Sequence, residues 1–252
     1  MNQVIGFFGG DSQTGTTMVA WSFAEALAAH GCRVLMVFGS GNDDGGFLGH
    51  KSKYSIDDLQ AAFINGHLDQ DELMQCLEKK KNLWQLSGTR NSLETGHFPG
   101  NTFDILMKAA GNIFDYVVID GGSSVRDGLT VSALDKCQHR YFVITQQPKA
   151  IHRYLQNKKR VYAALDIQGV LIINKYIGDP ALLLARDIEK MVKEEGAITI
   201  PYIHYAMEAE IEGKNLLAFP QPGKVIKRMA ADFLPEKKKE KKWKKHSIWK
   251  TT

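Results

Sequence analysis

Residues 6–28 read GFFGGDSQTGTTMVAWSFAEALA: an apolar run, a polar loop bracketed by glycines, then a helical pattern. Against the phosphate-binding pattern G-x-x-x-x-G-K-[ST], Gly10 and Gly15 take the glycine positions and Thr17 the last hydroxyl, while Thr16 stands where the lysine belongs. The chemistry divides at that substitution. A cradle of backbone N–H groups at a helix N-terminus needs glycines and a set loop length, and Gly10, Asp11, Ser12, Gln13, Thr14 and Gly15 supply both. Thr17 keeps the hydroxyl that holds Mg²⁺ in such a loop. The lysine that reaches the outer phosphates is gone, and the neutral Thr16 hydroxyl brings no charge in its place.

Two further segments add polar groups at the ends of apolar strands. FDYVVIDGG ends in Asp120, whose carboxylate suits the water shell of Mg²⁺, followed by Gly122, whose amide suits a terminal phosphate. GVLIINKY ends in Asn174 and Lys175, and an asparagine there can donate to and accept from an adenine edge. Each has a plainer reading, as a tight strand–helix turn, a capping aspartate and a turn asparagine. Their order along one chain favours the ligand-binding reading. Ser123 and Ser124 have no evident base, and His50, His97, His204 and His246 share no metal-ligand spacing. Cys32, Cys76 and Cys137 are odd in number and lack C-x-x-C spacing, which points away from a disulfide framework or a zinc site and toward a reducing cytoplasm.

The elements that must position these groups alternate along the chain. Strands are expected at 4–8, 33–38, 83–86, 116–119, 141–145, 170–173 and 197–200, and helices at 16–30, 56–65, 69–79, 102–111, 148–165, 180–195 and 222–234. Near-continuous apolar strands alternating with helices predict an α/β fold, a doubly wound, mostly parallel sheet with helices on both faces. With 252 residues and a change of composition only at Pro235, the chain reads as one domain, 1–234, and a tail, 235–252. The net charge of +4 belongs to that tail, PEKKKEKKWKKHSIWKTT, which alone carries +6. Solvated disorder, contact with an anionic membrane surface and contact with DNA phosphates are its three readings. No apolar run approaches the ~18 residues of a membrane span.

From residue 3 to 234 these segments together resemble the MinD/ParA family of P-loop ATPases: the loop, VLMVF, YSIDDLQAAFINGHLD, NLWQLSG, FDYVVIDGG, GVLIINKY, ITIPYI and EAEIEGKNLLAFPQPGKVIKRMAADFL. Within the family the chain looks most like the CpaE/TadZ branch, in which the loop lysine is often a small residue and the proteins act in Flp or Tad pilus assembly. The loop GGDSQTG is also similar to that of dethiobiotin synthetases, whose chemistry needs the missing lysine. The family resemblance implies ATP with Mg²⁺ as cofactor, a homodimer, and pilus or secretion machinery as partner. It implies nucleotide contacts from residues 10–17, Asp120, Gly122 and Asn174, with Thr17 and Asp120 serving Mg²⁺.

The departures matter as much. Asp11 stands at the family's signature lysine, and a carboxylate facing a polyphosphate costs on the order of 1–4 kcal/mol. In VFGSGNDDGG, Phe38 and Ser40 replace expected acids, and Asp43 or Asp44 could substitute only after realignment. Loss of both lysines and the water-orienting acid predicts a pseudo-ATPase that serves as a localisation or assembly factor. It would be cytoplasmic, or peripheral at the inner face of the membrane. The alternatives are a slow ATPase, with Lys175 or a tail lysine supplying the charge, and a ParA-like DNA-partitioning protein that uses its tail.

Overall fold

The computed structural model describes residues 3–40, 52–125, 128–206 and 211–235. Asp43, Asp44, His50 and the lysine run 236–252 therefore lie outside the described residues. Eight strands form one sheet: β1 (Gln3–Gly9), β2 (Val34–Phe38), β3 (Glu78–Lys80), β4 (Leu83–Leu86), β5 (Tyr116–Asp120), β6 (His139–Ile144), β7 (Val170–Tyr176) and β8 (Ile198–Pro201). Their order is β3-β4-β2-β5-β1-β6-β7-β8, parallel throughout except for the antiparallel β3–β4 pair. The helices are α1 (Thr16–Ala29), α2 (Gln60–Ile64), α3 (Gln70–Gln75), α4 (Thr102–Ala110), α5 (Gly128–Lys136), α6 (Pro148–Asn157), α7 (Ala185–Val192) and α8 (Pro220–Ala231).

Side chains alternate across each strand, and that alternation divides the core in two. Val4, Phe8, Leu35, Val37, Val117 and Ile119 face the layer built by α2 to α7. Ile5, Phe7, Met36, Phe38, Tyr116 and Val118 face α1 and α8. The expected doubly wound sheet with helices on both faces is thus what the chain forms. Among the described residues no helix is long and apolar enough to cross a membrane.

Several expected boundaries move, each for a local reason. The helix expected at 69–79 stops at Gln75, and Glu78–Lys80 pairs with β4 instead, with Lys79 Nζ 4.6 Å from the Trp84 ring centre. The helix expected at 180–195 begins at Ala185, because Asp179 Oδ1 accepts from the Ala181 N–H at 2.8 Å and holds a turn. Helix α6 ends at Asn157 and passes into a π turn over Lys158–Tyr162. Helix α5, GLTVSALDK, has no counterpart among the expected elements.

Candidate functional site

Strand β1 lies between β5 and β6, where the strand order reverses, and ligands in open α/β sheets bind outside the carboxyl ends of the strands at such a point. The loop 10–15 leaves β1 there and opens α1. Its shape is fixed by its own polar groups. Thr14 Oγ1 donates to the Asp11 carbonyl at 3.1 Å and lies 3.0 Å from Thr16 Oγ1. Gln13 and Gly15 take positive φ, +60° and +81°. Gly15 is required twice over, since a Cβ would also stand 2.5 Å from Asn174 Nδ2. Thr16, at the lysine position, is buried, and its hydroxyl is engaged within the loop.

Strand β7 grips the loop from beneath. Asn174 Nδ2 donates to the Thr14 carbonyl at 2.8 Å, and Lys175 Nζ donates to the Gln13 carbonyl at 2.9 Å. Two successive side chains thus hold two successive loop carbonyls. The Asn174 side chain, expected at an adenine edge, is buried, and its amide N–H is used on the loop. Lys175, exposed at the edge, does reach the loop backbone.

Strand β5 supplies the acid. Because Tyr116 and Val118 face α1, Asp120 does too, and Thr17 in the first turn of α1 meets it: Thr17 Oγ1 donates to Asp120 Oδ2 at 2.5 Å. The Gly122 N–H donates to Asp120 Oδ1 at 3.0 Å. Burial is the largest influence on this carboxyl and pushes it above its ordinary value, against the two hydrogen bonds. A hydroxyl and a carboxylate side by side beneath a phosphate-type loop are hard oxygen donors of the kind Mg²⁺ selects. Among the described residues no group of three or more His, Cys, Asp or Glu side chains has the arrangement of a metal site built by protein alone.

Asp11 is where the structure departs furthest from the expectation. Its carboxylate is 5% exposed and turns toward α6. Arg153 Nη1 pairs with Asp11 Oδ1, Lys149 Nζ lies 3.3 Å from Oδ2, and the Ser12 N–H donates to Oδ1 at 2.8 Å. Burial alone would raise this carboxyl, but the Ser12 amide and the two cations bring it below its ordinary value. The expected repulsion between Asp11 and a polyphosphate is therefore corrected. With Lys149 and Arg153 counted, the cluster carries one net positive charge. Gly10 permits the close approach of β6 and α6, since a Cβ there would lie 2.6 Å from Ile144 Cγ2 and 3.3 Å from Tyr154 Cβ. Sequence reading missed Lys149 and Arg153. The available signal was a pair of cations four residues apart, starting a helix directly after a strand that ends beside the loop.

Phe38, where an acid was expected, is core: it is fully buried and stacks on Trp21 with ring centres 6.3 Å apart. Ser40 is buried as well. Ser12 and Gln13 remain exposed at the loop crest, and Gly10, Asp11, Thr14, Gly15, Thr16, Thr17, Asp120, Gly122 and Asn174 converge around it.

No protein-family model and no curated protein matches the chain. Solved structures do. The fold matches a ParA family ATPase from Chlorobium tepidum TLS at 21% identity and TM-score 0.79, covering 92% of this chain and 99% of that one. It matches the septum site-determining protein MinD of Pyrococcus horikoshii OT3, complexed with Mg-ADP, at 16% identity and TM-score 0.73, over 92% and 96% of the two chains. It matches the MinC:MinD cell division protein complex of Aquifex aeolicus at 20% identity and TM-score 0.74, over 92% and 98%. The chain has the MinD/ParA-type P-loop fold.

Proposed function

We propose that the protein is a catalytically degenerate MinD/ParA-like nucleotide-binding protein that binds ATP with Mg²⁺ and acts as a localisation or assembly factor. The observation that carries the reading is a contrast at one loop. The Thr17 hydroxyl and the Asp120 carboxylate meet under a glycine-shaped cradle, while the lysine position is a buried, neutral Thr16. In this reading residues 10–17 and the Gly122 amide surround the phosphates, and Asn174 keeps the loop in shape. Binding survives because the cradle is backbone. Turnover falls because phosphoryl transfer rests on charge neutralisation and water positioning, and neither the loop lysine nor an acid at Phe38 or Ser40 is available. A homodimer formed on ATP, a partner in pilus or secretion machinery, and a basic tail at an anionic membrane surface complete the proposal. The Mg-ADP bound to the Pyrococcus MinD supports the cofactor assignment by similarity of fold.

A slow ATPase is the second reading, and the position of Lys175 Nζ on the Gln13 carbonyl favours it, since that cation is already at the loop. Titration calorimetry with ATP and Mg²⁺, with phosphate release followed on the same sample, separates the two. Binding without release supports the scaffold. Release that disappears in Lys175→Ala supports the ATPase, and no binding in any condition removes both.

A further inference from the structure

The donors around the Asp11 carboxylate are those that a phosphate oxygen would attract: a loop amide (Ser12 N–H), a hydroxyl (Ser12 Oγ, 3.4 Å), an ammonium (Lys149) and a guanidinium (Arg153). The two cations come from one face of α6, four residues apart, on a helix that is firmly seated. Tyr154, between them and the core, is buried, and its hydroxyl donates to Glu194. Lys158 closes the far end with bonds to Glu194 Oε1 at 2.7 Å and to the Val192 carbonyl at 2.9 Å. Exposure is unequal across the cluster. The Lys149 and Arg153 side chains are 65% and 51% exposed, against 5% for Asp11. An arriving anion therefore meets the cations first.

We infer that Asp11 is a built-in surrogate for phosphate, and that Lys149 and Arg153 are the cations with which this chain binds a polyphosphate in place of the loop lysines. Without ligand, Asp11 holds both cations at the mouth of the loop. A di- or triphosphate competes with it for them, so Asp11 weakens binding and Lys149 and Arg153 strengthen it. The nucleotide character of the ligand rests on the reading proposed above; the anion site itself does not.

The test measures affinity for ATP–Mg²⁺ and for inorganic tripolyphosphate in the wild type, Asp11→Asn, Asp11→Glu and the double variant Lys149→Gln/Arg153→Gln. Asp11→Asn is expected to bind both probes about tenfold tighter, as removal of one competing charge predicts, and the double variant, which loses two charge-assisted contacts, about a hundredfold weaker. Asp11→Glu, which keeps the competing charge, stays near the wild type. The double variant changes only exposed positions, so it tests the idea even where Asp11→Asn folds poorly. Binding that is equal in all four proteins overturns the inference and leaves the nucleotide reading standing. The expected pattern with tripolyphosphate, but no binding of ATP–Mg²⁺ to any of the four, keeps the anion site and removes the nucleotide. Absence of binding to every protein removes both.

Discussion

Asp11 and Asp120 are both buried carboxylates at the carboxyl ends of neighbouring central strands, Asp120 lying opposite Phe7 of β1 and Asp11 four residues beyond it, yet their surroundings differ in kind. Asp11 has two cations and an amide, and its acidity is strengthened. Asp120 has, among the described residues, a hydroxyl and an amide but no cation, and burial weakens its acidity. The first carboxylate is complete within the chain. The second carries a burial penalty that a bound divalent cation would relieve.

The largest expected effect tests the uncompensated acid. Its carboxyl is held above the ordinary 3.8, so the folded state keeps its proton longer than the unfolded chain does. The contribution of this one group is therefore most favourable below pH 3.8 and declines as pH rises toward the elevated value. Asp120→Asn removes this loss. Urea unfolding at neutral pH should show the variant more stable by on the order of 1–3 kcal/mol, with the gain vanishing in acid, while Mg²⁺-dependent nucleotide binding is lost. A variant less stable than the wild type at neutral pH would sink the account of Asp120 as a strained acid.

The compensated acid should behave in the opposite sense. Asp11 titrates below 3.8, so its contribution is present above that pH and disappears as pH falls through the lowered value. Asp11→Asn should cost about 1–2 kcal/mol at neutral pH, measured by the same unfolding curves. Next in size is the pairing itself: a double-mutant cycle of Asp11→Asn with Arg153→Ala should give a coupling of about 0.5–1 kcal/mol, reduced by added salt because Arg153 is half exposed. Zero coupling would leave the Asn effect to the Ser12 amide and Lys149. The smallest change is Lys175→Ala, expected to cost a few tenths of a kcal/mol in stability because the ammonium is exposed.

How much of this was legible in the sequence follows from how local each signal is. The parallel strands and α1 announced themselves by apolar runs, and the loop by its glycines, because those patterns are set by neighbours in sequence. Thr17 and Asp120 could be named as partners for the same reason, since each sits at a fixed point of a motif, and the structure places the two side chains in hydrogen-bond contact. The partners of Asp11 were not legible, since contact with Lys149 and Arg153 depends on β6 lying next to β1, a fact of topology. The contact of Asn174 with the loop was not legible either, because its partner is a carbonyl 160 positions away. Phe38 could not be told from a lost catalytic acid until its stacking on Trp21 was seen. Strand β3 is three polar residues long, too short to show any period.

That short strand bears on how copies of the protein could meet. A parallel sheet ends in rows of unpaired backbone groups that invite another chain to continue it. Here one margin is finished by the charged tripeptide Glu78–Lys79–Lys80, running against the direction of the rest. The opposite margin is a four-residue strand that closes on Pro201, which has no N–H to offer. Growth by adding strands is discouraged at both margins, so self-association is steered away from fibre-like stacking and toward contacts between side-chain surfaces.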